Sequence, residues 1–164
     1  MNYLLDTPVV SELVRREPTE LVLEWLAAQA EDSLFLSVVT LGELQKGVRK
    51  LADSERKTRL AAWLAHDLTV RFRQRLLPVD AAVALAWGTL QGEGLQRGTP
   101  LPVVDCLLAA TAQVHNLTIV TRNVADLRRC GAAVVNPWQS NVMPSRGTDV
   151  VKHTPPAGER PGTP

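Results

Sequence analysis

The residues of this 164-residue chain best suited to chemistry are acids placed just beyond short apolar runs. Asp6 directly follows Tyr3-Leu4-Leu5, and Glu43 stands just past Val38-Val39-Thr40, in the first turn of the helix expected there. Asp105 interrupts the otherwise apolar run Val103-Val104-Asp105-Cys106-Leu107-Leu108-Ala109-Ala110, and Asn123 and Asp126 follow Leu117-Thr118-Ile119-Val120-Thr121. Carboxylates drawn together repel: two charges about 4 Å apart cost roughly 4 kcal/mol at an effective dielectric near 20. A cation must offset this, or protons must. Carboxylate oxygens without thiols or a nearby imidazole pair are hard ligands, suited to Mg²⁺ or Mn²⁺. Such an ion activates water and stabilises the leaving oxygen in phosphodiester hydrolysis. His66, His115 and His153 are scattered and read as surface or core residues. The chemistry of these side chains reaches a Mg²⁺ or Mn²⁺ site and stops there.

The elements around these acids alternate. Strand-like apolar runs at 2–5, 34–39, 76–79, 117–121 and 132–135 are separated by stretches with helical period and Ala/Leu/Glu/Arg content at 8–16, 19–30, 41–52, 55–70, 80–96 and 103–115. That alternation predicts an α/β domain with a largely parallel central sheet. In such a sheet the ligand crevice lies beyond the carboxyl ends of the strands, so acids distant in sequence can meet there. The domain is expected to span 1–139. From Ser140 to Pro164 the chain carries five prolines and three glycines with almost no apolar periodicity, which predicts a disordered tail.

Each acid also has a purely structural reading. Thr40 and Glu43 have capping-box spacing, as do Asn123 and Asp126. Asp6 before Thr7-Pro8 makes an N-cap followed by a proline in the first turn. Asp105 in a first helical turn complements the helix dipole. It is the hardest of these to explain by structure alone, because it breaks a run that reads as buried helix.

Composition narrows the class. With 45% hydrophobic and 21% charged residues, the chain has the make-up of a globular domain. A net charge of +1 gives no global attraction to nucleic acid. Any such surface must come from local clusters such as Arg15-Arg16, Lys46/Arg49/Lys50, Arg56-Lys57 and Arg71/Arg73/Arg75, which otherwise read as solvated faces. The two cysteines, Cys106 and Cys130, lie in different apolar contexts without CxxC spacing, so neither a disulfide framework nor a zinc site is expected. The N-terminus meets Asp6 before any long apolar run, which argues against a signal peptide, and no run approaches the ~18 residues of a membrane span. The expected compartment is the cytoplasm.

Taken in order, these pieces resemble the PIN-domain family, especially VapC and FitB-like toxins of type II toxin–antitoxin systems. The resemblance runs through Tyr3-Leu4-Leu5-Asp6-Thr7 with Val10-Ser11-Glu12, then Leu36-Ser37-Val38-Val39-Thr40-Leu41-Gly42-Glu43-Leu44 and Gly47. It continues in Leu77-Pro78-Val79-Asp80, in Asp105 to Ala112, in Thr121-Arg122-Asn123-Val124-Ala125-Asp126-Leu127, and in Asn136-Pro137-Trp138. It implies a three-layer α/β/α fold, an acidic pocket binding Mg²⁺ or Mn²⁺, and endoribonuclease activity. Asp6, Glu43 and Asp105 match the family's most regular acids. The fourth acid departs from the pattern: Asn123 stands where many members carry Asp, and Asp126 three residues on is the alternative metal ligand and catalytic acid. The resemblance further implies an RNA substrate, a small antitoxin that blocks the pocket, homodimerisation through helices, and operator DNA reached only through the antitoxin. Three other readings stand beside it: an RNA-processing PIN nuclease that is not a toxin, a catalytically impaired PIN scaffold, and a receiver-like phosphoacceptor module. The last needs a lysine after a late strand, where this chain has Arg122-Asn123.

Overall fold

A computed structural model describes residues 1–139. The stretch 140–164, expected to be a disordered tail, lies outside the described residues. The chain runs β1 (Tyr3–Leu5), α1 (Thr7–Glu12), α2 (Glu20–Ala27), β2 (Leu34–Ser37), α3 (Val38–Lys50), α4 (Glu55–Ala62), α5 (Thr69–Arg71), β3 (Leu76–Leu77), α6 (Ala81–Gln96), α7 (Val103–Val114), β4 (Thr118–Val120), α8 (Val124–Arg129) and β5 (Val134–Val135). The five strands form one sheet in the order β3-β2-β1-β4-β5, and every pairing is parallel. Tyr3 sits opposite both Leu34 and Thr118, and Leu5 opposite Val120.

Alternation along these short strands builds two cores. Leu5, Leu34, Leu36 and Val120 point to one face, against Val9, Val10, Val22, Leu44, Leu64, Leu68 and Phe72. Leu4 and Ile119 point to the other, against Cys106, Leu108, Ala109, Ala112 and Leu127. Helices thus cover both faces, as a parallel sheet requires, and the expected three layers are present.

Several element boundaries differ from the expectation, each for a local reason. The run 34–39 does not stay extended: β2 stops at Ser37, whose Oγ accepts the Val39 N–H at 3.1 Å and starts α3 at Val38. The predicted Thr40–Glu43 capping box is therefore not formed. Thr40 lies inside the helix and donates its hydroxyl to the Leu5 carbonyl at 3.2 Å. The helix expected over 8–16 ends at Glu12, because the Glu12 carboxylate accepts the Thr19 N–H at 2.6 Å and turns the chain back into α2. The run 55–70 is helical throughout, but widens to a π-helical turn at Trp63–Leu68 between α4 and α5.

At the far edge of the sheet, Arg75 packs its guanidinium 4.7 Å from the Phe72 ring centre and donates to the Glu31 and Leu34 carbonyls. Arg71 pairs with the Glu31 carboxylate at 2.9 Å. These two members of the Arg71/Arg73/Arg75 cluster are thus structural. The cysteines share a context after all: α8 folds over α7 and brings the buried Cys106 and Cys130 sulfurs to 3.6 Å as free thiols. Burial, with Cys106 alongside, pushes the Cys130 thiol up to about 12.

Candidate active site

A strand order of 3-2-1-4-5 reverses direction at β1, so the crevice between the carboxyl ends of β1 and β4 is the topological switch point where ligands of open α/β sheets bind. Asp6 leaves β1 at that point. It is the N-cap of α1, with Oδ1 accepting the Thr7 N–H at 2.7 Å. Its other oxygen accepts the Thr121 hydroxyl at 2.6 Å, so one hydrogen bond bridges the ends of β1 and β4. The capping reading of Asp6 and its place at the crevice therefore hold together, one for each oxygen. Both donors are neutral, and Asp6 is only 8% exposed. Burial pushes its carboxyl above the ordinary value of 3.8, the charge of Glu43 adds to this, and the Thr121 and Thr7 bonds oppose it.

Glu43 reaches the crevice from α3. The buried Thr40–Leu5 bond pins that helix to the end of β1, and Glu43 follows Thr40 by three residues, on the same helical face. Its carboxylate is gripped by Lys46 Nζ at 2.6 and 2.7 Å. Asp105 enters in the first turn of α7, where the dipole reading places it too. Burial pushes its carboxyl up, and the negative charges of Asp6, Asp126 and Glu43 push it further. The Asn123 amide, donating to Asp105 Oδ2 at 3.4 Å, works in the opposite direction. Asp126 sits in the first turn of α8 with Arg129 at 3.3 Å. Asn123 occupies the N-cap position of α8 without making a side-chain cap, its amide being turned to Asp105 instead. Its backbone N–H is bonded to the Thr121 hydroxyl at 2.8 Å.

Four carboxylates from four chain segments thus lie within electrostatic reach of Asp105 or of one another. Among the described residues no three His, Cys, Asp or Glu side chains already form a closed ion cage. Glu43 is turned onto Lys46 and Asp126 onto Arg129. The donor set itself fits a hard divalent cation: oxygen ligands only, with Asp6 and Asp105 held by neutral donors that leave the negative charge uncompensated. His66 and His115 are exposed, and His153 lies outside the described residues. The crevice continues into a cavity of about 440 Å³ running between α1, α3 and α4, with Thr7, Glu43 and Arg122 at its acidic end.

Three residues of this region have roles that the sequence reading did not assign to them. Thr121 orients Asp6, Lys46 holds Glu43, and Glu12 fixes the turn after α1. Thr121 stands at a strand end beside Arg122-Asn123, which was a usable signal. Lys46, three residues after Glu43, was readable as a helical ion pair.

Similarity to known proteins places the chain in a family. The chain matches the PIN domain over residues 3–131. It is 34% identical over 137 residues to the plasmid stability protein StbB of Pseudomonas syringae pv. tomato, covering 84% of this chain and 99% of that one. It is 35% identical over 135 residues to toxin FitB of Neisseria gonorrhoeae, covering 82% and 97%. Among solved structures, FitAcB from Neisseria gonorrhoeae superposes with a TM-score of 0.77 at 34% identity, covering 83% of this chain and 98% of its own. FitAB bound to an IR36 DNA fragment gives the same TM-score at 32% identity, covering 84% and 96%. A PIN-domain match across most of the length, relatives above 30% identity along nearly their whole chains, and acids gathered at the β1/β4 switch point lead to one assignment: this chain belongs to the PIN-domain family.

Proposed function

We propose that this protein is an endoribonuclease toxin of a VapBC-like pair, that its nuclease domain is residues 1–139, and that Asp6, Glu43, Asp105 and Asp126 form its active site. The observation that carries the reading is the gathering of acids at the β1/β4 switch point, with Asp6 and Asp105 meeting neutral donors and like charges in place of cations. Relatives named VapC ribonuclease, and a structure of VapBC2 from Rickettsia felis bound to a DNA fragment from its promoter, support it.

Asp6, Glu43 and Asp105 would hold Mg²⁺ or Mn²⁺, with Asp126 as the fourth acid. The bound ion supplies an activated water and charge stabilisation at the scissile phosphate. The chain's own part is to keep these oxygens oriented. Thr121 and the Thr7 N–H fix Asp6, and Asn123 steadies Asp105. Lys46 holds the Glu43 carboxylate in place by its ion pair. The partner is an antitoxin that silences the pocket by placing a cationic side chain among the carboxylates, and operator DNA is reached through that antitoxin. A second copy of the chain pairs through α6 and α7, where Leu85 is 75% and Val103 56% exposed. Among the described residues no helix is long and apolar enough to cross a membrane, and the cytoplasm is the compartment where RNA would be met.

The test is RNA cleavage by the purified chain. It is expected with Mg²⁺ or Mn²⁺ and absent in excess chelator, and expression without antitoxin is expected to arrest growth while Asp6→Ala does not. Cleavage that persists in excess chelator would overturn the metal assignment. Harmless expression of a folded, RNA-cutting wild type would overturn the toxin role.

A further inference from the structure

An RNA strand approaching this site meets a field of the wrong sign. Its phosphates are repelled by the same carboxylates that would bind the ion, and a net charge of +1 offers little general attraction. Screening limits effective charge to within about 8 Å at physiological ionic strength, so only cations beside the approach path count. Several basic side chains among the described residues are already committed. Arg71 and Arg75 hold Glu31, Lys46 holds Glu43, Lys57 holds Asp53, Arg15 holds Glu12, and Arg129 holds Asp126.

Three arginines along the groove have no carboxylate partner among the described residues: Arg16, Arg56 and Arg122. Arg122 and Arg56 both line the 440 Å³ cavity whose end is Glu43. Arg56 and Arg16 line the adjoining cavity, which shares Val14, Arg56 and Leu60 with the first. The exposed arginines therefore border two adjoining cavities, the first of which reaches Glu43. Arg122 is placed by a specific device. Its guanidinium lies 5.4 Å from the ring centre of Trp138, and Asn136 Oδ1 accepts the Trp138 backbone N–H at 3.0 Å. The Asn136-Pro137-Trp138 ending, which no step of the proposed reaction uses, thereby seats a cation beside Asn123. Trp63, half-buried at the start of the π-helical turn, contributes to the wall of the same cavity. π turns inside helices are frequent at functional sites. Unpaired arginines interleaved with an aromatic face are the pattern by which single strands are held without sequence readout.

We propose that Arg122, Arg56 and Arg16 form a phosphate track that guides one RNA strand into the acidic site, with Trp63 as a stacking face for a base. This rests on the ribonuclease reading and adds to it the path of the substrate. The groove wall is largely apolar, from Pro8, Val14, Leu44, Val48, Leu60 and Leu64, and it is the three arginines without carboxylate partners along it that select a polyanion. Trp138 is a positioning residue, acting through Arg122.

The test is the salt dependence of binding to a labelled single-stranded oligouridylate, with the full chain in chelator so that the strand stays intact. Arg56→Ala and Arg122→Ala change exposed side chains, so folding is kept. Each should weaken binding and make the slope of log K against log salt shallower by about 0.7, the value of one single-strand phosphate contact. Arg73→Ala removes the same charge from the segment ahead of β3, at the opposite end of the sheet, and should leave the slope unchanged. In the presence of metal, the two groove variants should raise KM by a larger factor than they lower kcat. Slopes for Arg56→Ala and Arg122→Ala that equal those of wild type and Arg73→Ala overturn the track while leaving the nuclease standing. RNA binding that is kept while antitoxin binding is lost also overturns it, and makes the groove a protein-docking surface. A wild type that neither binds nor cuts RNA overturns the nuclease reading, and the track with it.

Discussion

Asp6 and Glu12 flank one short helix, and both carboxylates are buried, at 8% and 3% exposure, yet they are treated in opposite ways. Glu12 is satisfied. Arg15 lies 2.8 Å from one oxygen and the Thr19 N–H 2.6 Å from the other. Burial alone would push its carboxyl up, but the Thr19 and Arg15 contacts outweigh burial and hold it below the ordinary 4.5. Burial holds the Asp6 carboxyl above 3.8 and the negative field of Glu43 adds to it, because its only donors, Thr121 and Thr7, are neutral and do not outweigh burial. A buried acid with a cation and a tight N–H is a structural brace, whereas a buried acid facing other acids holds charge that something outside the chain must neutralise. The difference between the two ends of α1 marks the site more sharply than acidity does.

The largest effect that would break this comparison is on cleavage. Asp105→Asn keeps the shape of the side chain and removes its charge, and should lower RNA cleavage by at least about a hundredfold, the scale of losing one charge-stabilising group in an active site. Glu12→Gln should leave turnover per folded molecule close to wild type. A Glu12→Gln protein that is fully folded and inactive would move Glu12 from brace to chemistry.

Next in size is Asp126→Asn. Asn123 turns its amide to Asp105 and makes no cap, so the pair does not form the capping device that its spacing suggested. Losing the Asp126 charge should reduce cleavage roughly tenfold, the scale of about 1.4 kcal/mol, and raise the metal concentration needed for half-maximal rate, with little change in melting. If Asp126→Asn cuts normally while Asn123→Ala does not, the fourth position belongs to Asn123.

Stability should respond in the reverse order. Glu12→Gln leaves Arg15 without its partner and weakens the bond to the Thr19 N–H, so denaturant melts should show a loss of about 1–3 kcal/mol. Asp105→Asn in chelator should hold stability level or raise it, because it relieves repulsion from Asp6, Asp126 and Glu43. A dipole role for Asp105 predicts instead a loss of about 0.3–1 kcal/mol.

The difference between brace and site explains what the sequence disclosed. Alternating strand and helix periods are local, so the α/β class and the parallel sheet were readable, and Asp105 stood out because it interrupts an apolar helix. Contacts spanning the chain were not readable. The Thr121 hydroxyl meets Asp6 across 115 residues, and nothing in either segment announces the other. Cys106 and Cys130 met for the same reason, through the packing of α8 on α7. Ser37 displaced the Thr40–Glu43 cap because the end of β2, which no propensity locates to a residue, decided where α3 begins.

The smallest effect is the most direct test of the two kinds of acid, since it reads them in one titration. Asp6 and Asp105 are raised above 3.8 in the folded chain, so they retain protons at pH values where the unfolded chain has released them. The folded state then binds more protons, and by linkage its stability falls as pH rises from about 4 upward through the raised values. Glu12 is lowered below 4.5, so its contribution is fully present above that value and is lost as pH falls through its lower folded value. Chelated wild type should therefore be destabilised on the acid side by Glu12 and on the rising side by the site acids, with a maximum between. Denaturant melts between about pH 3 and 7 separate the terms. Asp105→Asn should flatten the decline above the maximum, and Glu12→Gln should flatten the rise below it. Saturating Mg²⁺ should reverse the decline in wild type, because the ion favours the deprotonated acids that protons would otherwise neutralise. If chelated Asp105→Asn declines as steeply as wild type, the acids are not strained against one another, and the distinction between the two ends of α1 loses its energetic basis.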